Sequence, residues 1–297
     1  MTAKQLRIVY MGTPDFAIAP LRALVEGGYN VVAVVTMPDK PSGRGQQIQE
    51  SAVKKYALQA GLPLMQPEKL KDPQFVERFG ALNADLGIVV AFRMLPEVIW
   101  SMPRLGTFNL HASLLPQYRG AAPINRAIMN GESRTGVTTF FLNAKMDEGS
   151  IIEQREVAIL PEDNAGTLHD KLMNAGSALV PDTVNRIASG GLHLIRQNNI
   201  PAGELKPAPK IFKETCKIDF SHHGTDIVNL IRGLSPYPAA YAELCNDFSG
   251  ADAARVEGVA GTEDAAVAGV AGVFGDSERM PVKIYAALFS AMAHELR

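Results

Sequence analysis

Apolar positions along the chain gather into short unbroken runs, and stretches of helical period separate them. Residues 6–11 form the first run, which ends at Gly12-Thr13-Pro14. Residues 15–26 follow as an amphipathic stretch, so the order reads strand, tight turn, helix. Residues 31–36 form a second run without alternation, and a strand of that kind is buried on both faces, as in a parallel sheet. The same reading predicts a helix over 51–60, strands over 86–91 and 107–110, and a helix over 121–129. Strands over 136–142 and 151–159 and a long helix over 167–187 complete this part. Strands alternating with helices predict an α/β fold, a Rossmann-like, open and mostly parallel sheet with right-handed crossovers.

The pattern changes after residue 189. Scattered Gly and Pro with little periodicity predict a linker over 190–209. Residues 210–244 carry an apolar pattern of their own. Residues 248–276, rich in Ala, Gly and Val and poor in aromatics, read as an irregular insertion or a weak hairpin. One more strand is expected over 282–285. The expected domains are therefore 1–189 and 210–297, joined by that linker.

Length and composition fit a soluble globular protein of two ordinary domains. The first six residues hold one Lys and no apolar stretch of signal-peptide length. No run approaches the roughly 18 apolar residues of a membrane helix. The two cysteines, Cys216 and Cys245, lie far apart and form no C-x-x-C pair. That argues against structural zinc or a disulfide framework and fits a reducing cytosol. A net charge of −2 does not suit a chain whose main work is to coat nucleic acid, so any RNA contact must come from local patches.

Candidate chemistry centres on Asn109 and His111. Two residues apart on a strand, their side chains share a face. At a strand's carboxyl end they would sit where open α/β sheets bind ligands. An amide beside an imidazole can donate a pair of hydrogen bonds to an oxyanion. The plain alternative is that Asn109 caps a turn and His111 is a satisfied core histidine. The single Gly12 after the first strand makes no G-x-G-x-x-G fingerprint and implies no dinucleotide. The other five histidines have no carboxylate or Cys at metal-ligand spacing, so no metal is expected.

The string Leu114-Leu115-Pro116-Gln117-Tyr118-Arg119-Gly120-Ala121-Ala122-Pro123-Ile124 demands a fixed, irregular backbone. With Asn109, His111 and a later Met146-Asp147-Glu148-Gly149, it closely resembles the signature of the 10-formyltetrahydrofolate-dependent formyltransferases. The likeness covers residues 4–245. It takes in Met11-Gly12-Thr13-Pro14-Asp15-Phe16, Pro38-Asp39-Lys40-Pro41-Ser42-Gly43-Arg44-Gly45 and Ala208-Pro209-Lys210-Ile211. Those outer motifs resemble the members that act on methionyl initiator tRNA.

The resemblance implies a formyltransferase domain followed by a small β-barrel-like domain. Here that second domain is expected to be shortened and incomplete. It implies 10-formyltetrahydrofolate as formyl donor, initiator methionyl-tRNA as acceptor, and no metal, membrane or obligate protein partner. Asn109 and His111 would hold the oxyanion. Asp147 would favour the imidazolium form of His111 and take the proton of the attacking amine. Val89, Ala91, Phe92, Ser113, Leu114, Leu115 and Pro116 would line the folate site, and Lys40, Arg44 and Phe16 would meet tRNA. By itself, Phe16 reads as a core residue as readily as a site residue, and the Pro38–Gly45 segment as a phosphate-reaching loop or an ordinary solvent loop.

Two departures stand out. Ala91-Phe92-Arg93 replaces the Ala-Tyr-Gly of many relatives, and Arg93 either meets the acidic tail of folate or is a solvated surface residue. Ser150 stands where relatives often have Asp. Residues 206–297 hold nine Lys or Arg against twelve Asp or Glu, a balance expected to grip phosphates weakly. Two other functions fit the same residues in part. One is formyl transfer to a small amine, such as an amino sugar nucleotide or a purine-pathway ribotide. The other is folate or RNA binding without catalysis, against which the complete Asn109, His111 and Asp147 set weighs.

Overall fold

The computed structural model describes residues 2–42, 47–197, 202–245, 270–271 and 279–284. They fall into two compact units, one of residues 1–120, 135–157 and 170–207, the other of 121–134, 158–169 and 208–297. In chain order the elements begin β1 (Ile8–Gly12), α1 (Ile18–Glu26), β2 (Val31–Val35), β3 (Lys40–Ser42), β4 (Gln47–Gln49), α2 (Ala52–Gln59), β5 (Leu64–Met65), α3 (Pro73–Ala81), β6 (Leu86–Val90), α4 (Glu97–Trp100) and β7 (Thr107–His111). They continue with α5 (Pro123–Met129), β8 (Arg134–Phe141), β9 (Ile151–Ala158) and α6 (Ala165–Ser189). The last are α7 (Gly224–Leu234), β10 (Ala240–Cys245), β11 (Val270–Ala271) and β12 (Arg279–Ile284).

The first unit is built on a seven-stranded sheet of order β5-β2-β1-β6-β7-β8-β9. Its first five strands pair in parallel, and β8 runs antiparallel to β7. This is the mostly parallel α/β sheet that the apolar runs predict. On one face Val9, Met11, Ala33, Val35 and Val89 form a core with Phe75 and Phe79 of α3 and with Leu95 and Ile99. On the other, Gly176 of α6 lies close against Leu110 of β7.

Helix α3 and the short β5 were not anticipated. The signal for α3 was present: Pro73 occupies its first turn, and the Asp72 carboxylate accepts from the amides of Gln74 and Phe75 at 3.0 and 3.1 Å. The segment expected as a loop over 38–45 begins as strand, because Lys40, Pro41 and Ser42 pair with Gln49, Ile48 and Gln47. At the base of this hairpin the Asp39 carboxylate accepts from the Lys54 ammonium and from Gln66 Nε2 at 2.9 Å. Those bonds hold its carboxyl below the usual carboxylate range.

In the second unit Cys216, Ile218, Ile231, Leu234 and Ala240 form a small core, with Met129 of α5 packed against it. The amphipathic α7 supplies its apolar stripe, and Asn125 Nδ2 of α5 donates to the Gly233 carbonyl at 2.7 Å. Among the described residues three strands form an antiparallel sheet of order β10-β12-β11. The strand expected over 282–285 falls in β12, which begins three residues earlier. Of the 248–276 stretch only β11 is described, and the rest lies outside the described residues.

Asp85 joins the amino ends of β1 and β6. Its carboxylate accepts from the Arg7 amide at 2.9 Å and from Arg104 Nη2 at 2.9 Å. The Arg7 N–H and then the Arg104 guanidinium hold its carboxyl below the usual range, against the opposing effect of burial. A carboxyl lowered on folding stabilises above its unfolded value, about 3.9 for Asp, and the gain is lost as pH falls through the folded one. Asp85→Asn should therefore lower the urea midpoint at pH 7, and the gap from the unsubstituted protein should be smaller at an acid pH below the unfolded carboxyl value of about 3.9. An equal gap at both pH values would show that the charge contributes nothing.

Candidate active site

Strand order reverses beside β1: the chain moves outward through β2 and β5, then returns to β6 on the other side. Ligands of open α/β sheets bind outside the carboxyl ends of the strands at such a point. Here those ends are Gly12 of β1, Val90 of β6 and His111 of β7. Asn109 pairs with Val89 on one side and Phe140 on the other, so the three side chains stand in one row across the sheet. Val89 and Phe140 are buried, and Asn109 is half-buried between them. Its carboxamide has no hydrogen-bond partner among the described residues and is not sealed from solvent. Such a group in an apolar row needs water or a ligand to satisfy it.

His111, two residues on, is buried, and its Nε2 lies 2.9 Å from the Tyr118 carbonyl. A carbonyl only accepts, so Nε2 carries the hydrogen and Nδ1 remains for a second partner. The chain from Ala112 to Gly120 then doubles back over the strand end. Thr138 of β8, paired with His111, fixes it: its hydroxyl donates to the Ser113 carbonyl at 2.6 Å and accepts from the Leu115 amide at 3.1 Å. Gln154 Nε2 of β9 donates to the same hydroxyl and to the Leu115 carbonyl, each at 2.9 Å. The Ser113 hydroxyl donates to the Gln117 carbonyl at 2.6 Å, closing the turn from within.

Asp147 lies in the loop between β8 and β9. The Gly120 amide donates to Asp147 Oδ2 at 3.0 Å. His111 and Asp147 thus each bond to the short stretch 118–120, while no hydrogen bond among the described residues joins them directly. Asp147 holds a φ of 53°, Tyr118 one of 60° and Ala91 one of 47°, all in the left-handed region. Such strain in non-glycine residues gathers at functional sites. Gly149 next door is required by space: a Cβ there would lie 1.6 Å from the Phe141 carbonyl oxygen.

The other residues singled out in the sequence occupy varied places. Val89, Ser113 and Leu115 are buried, and Leu115 packs with Phe140 and Ile151. Ala91 is exposed, and Phe92, Leu114 and Pro116 are half-buried. Phe16 is only 6 % exposed, so it offers a macromolecule little surface. Lys40 is exposed on β3, and Arg44 lies outside the described residues. Arg93 is half-buried rather than solvated, and its Nε has no hydrogen-bond partner among the described residues. Its guanidinium donates to the carbonyls of Glu68 at 2.7 Å and Pro67 at 2.5 Å, and burial lowers its pKa. Among the described residues no cluster of three or more His, Cys, Asp or Glu could hold a metal. No described helix is long and apolar enough to cross a membrane.

Residues 6–184 match the formyl transferase family, and residues 210–256 match its C-terminal domain. The chain belongs to the formyl transferase family. It is 61 % identical over 247 residues to a methionyl-tRNA formyltransferase of Bacteroides fragilis, covering 83 % of this chain and 76 % of that protein. It is 57 % identical over 242 residues to the methionyl-tRNA formyltransferase of Flavobacterium johnsoniae, covering 81 % and 76 %. Among solved structures, the N-formyltransferase of Helicobacter canadensis in complex with folinic acid and dTDP-3-aminofucose superposes with a TM-score of 0.58 at 22 % identity. That match covers 77 % of this chain and 80 % of the other. Glycinamide ribonucleotide transformylase 1 of Symbiobacterium toebii gives 0.55 at 21 % identity, covering 64 % and 94 %. At such identities the likeness shows the fold alone.

Within this formyl transferase, several residues that build the site carry no motif of their own. Thr138 and Gln154 are ordinary strand residues by pattern, and only the register β7 to β8 reveals them. Gln197, in the low-periodicity stretch read as a linker, gives no sequence signal at all. Thr138→Val keeps the shape and removes the hydroxyl, leaving the Leu115 amide, the Ser113 carbonyl and the Gln154 amide short of a partner. Each buried group so orphaned costs about 1–3 kcal/mol. The substitution should therefore destabilise the enzyme by about 2 kcal/mol or more in equilibrium denaturation, and a loss near zero would show that water replaces the hydroxyl freely.

Proposed function

We infer that this chain transfers the formyl group of 10-formyltetrahydrofolate to the free amino group of methionyl initiator tRNA. The observation that carries formyl transfer is the Asn109 carboxamide. Among the described residues it has no hydrogen-bond partner, and it stands half-buried beside His111 at the carboxyl edge of the sheet. The acceptor is supported by relatives at 54–62 % identity named methionyl-tRNA formyltransferase. The sugar and ribotide enzymes share only the fold, near 20 % identity. An acceptor that serves translation sets the place of action in the cytoplasm.

The neutral amine attacks the formyl carbon, a C–N bond forms, and the carbonyl oxygen takes up negative charge. Asn109 donates to that oxygen through its amide. His111 has its Nε2 hydrogen engaged by the Tyr118 carbonyl, so it donates through Nδ1 as imidazolium. One such donor is worth about 10²–10³ in rate. Asp147, anchored through one carboxylate oxygen, uses the other to take the proton from the attacking nitrogen, directly or through water. The proton passes to the folate nitrogen as its bond to the formyl carbon breaks, leaving tetrahydrofolate and the formylated amine. Ala91, Phe92, Leu114 and Pro116 offer the carrier apolar surface, with Val89, Ser113 and Leu115 supporting them from beneath. Lys40 and Arg44 meet tRNA phosphates, whereas Phe16 is buried and supports the fold behind the first turn.

Asn109→Ala and His111→Ala should each lower kcat by about 10²-fold or more with little change in either KM, because the contact strengthens in the transition state. Near-normal kcat in either variant removes that residue from the mechanism. Offered Met-tRNA, an amino sugar nucleotide and a purine-pathway ribotide, the enzyme should formylate Met-tRNA alone; a preference for a small amine would overturn the acceptor. Arg44→Ala should raise KM for Met-tRNA and leave folate binding intact, and the reverse pattern would refute the tRNA assignment of that loop.

A further inference from the structure

The loop carrying Asp147 and the loop carrying Tyr118 and Gly120 are fastened together by one buried amide. Gln197 is 7 % exposed. Its Oε1 accepts from Arg119 Nε at 3.1 Å and Arg119 Nη2 at 2.9 Å, and its Nε2 donates to the Gly149 carbonyl at 2.7 Å. The amide can sit only one way round, with oxygen toward a guanidinium and nitrogen toward a carbonyl. Arg119 also faces Glu148, with Nη1 3.5 Å from Oε1. Asp147 therefore has a neighbour on its carboxyl side held by Arg119 and, one residue further, a carbonyl held by Gln197. Its own carboxylate is held by Gly120. On the other side, Asn143 Oδ1 accepts from the Lys145 amide at 2.9 Å and closes the start of the loop.

The left-handed backbone of Asp147 is a conformation that a free loop would leave. What keeps it is bonding of its surroundings to residues 119 and 197, which come from elsewhere in the chain. We propose that Gln197, gripped by Arg119, is a positioning residue that holds the Asp147 loop against the His111 loop so that acid and base meet one substrate. It touches no substrate and acts only through where it puts Asp147. Residue 197 thereby takes part in the reaction, and residues 204 and 206 brace the loop after His111. Gln117 Nε2 donates to the Glu204 carbonyl at 3.1 Å, and the Tyr118 amide donates to the Lys206 carbonyl at 2.6 Å. The inference rests on Asp147 as proton acceptor.

The test uses the full-length enzyme with Met-tRNA and 10-formyltetrahydrofolate. Gln197→Ala should lower kcat roughly 10- to 100-fold, as expected for a reacting group displaced by about an ångström, with both KM values nearly unchanged. In an Asp147→Asn background, followed by single turnover, adding Gln197→Ala should cost almost nothing more, since the group it positions is gone. If Gln197→Ala does not fold, Arg119→Lys supplies the same cycle: it keeps a charge near Glu148 and loses the two-pronged grip on Gln197. Wild-type kcat in a folded Gln197→Ala enzyme, or a full multiplicative loss in the Asp147→Asn background, overturns the positioning role alone. Wild-type kcat in Asp147→Asn itself overturns the role given to Asp147, and this inference with it.

Discussion

The hydroxyl of Thr138 donates to the Ser113 carbonyl and accepts from both the Leu115 amide and the Gln154 carboxamide, and with that its bonding capacity is full. It sits mid-strand in β8, opposite His111, because β8 runs antiparallel to β7. A parallel neighbour would place a strand end and a loop of its own beside His111. The antiparallel strand instead offers a rigid interior residue, and the chain after His111 is nailed to it. The turn closed by Ser113, the Tyr118 carbonyl that meets His111 and the Gly120 amide that meets Asp147 all lie downstream of that fixed point.

Much of this was legible in the sequence because the governing signals are local. Unbroken apolar runs announced the buried parallel strands, and two-residue spacing put Asn109 and His111 on one face. What stayed hidden depends on register. Nothing in the order of residues says that Thr138 will face His111 or that Gln154 will reach Leu115. Gln197 is harder still, since a lone amide in an aperiodic stretch looks like any solvated residue. Arg93 is a different case: the sequence leaves the tail of folate and solvent both open, and the structure shows its guanidinium donating to the backbone carbonyls of residues 67 and 68. Helix α3 carries a sound start signal in Asp72-Pro73 and a buried apolar pair four residues apart, Phe75 and Phe79, so it lay within reach of the sequence.

Ala91, Tyr118 and Asp147 share left-handed backbone, and they belong to three separate connections, those after β6, after β7 and between β8 and β9. None of the three is glycine, so each conformation carries a cost that the surrounding bonds offset. A glycine at any of them would relieve the strain and also free the loop to leave its place. The strained residue is held in one shape by its neighbours, and such restriction is useful wherever side chains must be placed to within a fraction of an ångström.

The pinning of residues 113 and 115 to a mid-sheet strand also bears on motion. Most connections at the rim of an α/β sheet breathe independently, opening at little cost while the sheet stays closed. Here the Leu115 amide cannot reach water until Thr138 lets go, and Thr138 stands fully buried between β7 and β9. The loop therefore shares the lifetime of the sheet's far half. Movement at this end of the sheet is then left to other parts of the rim.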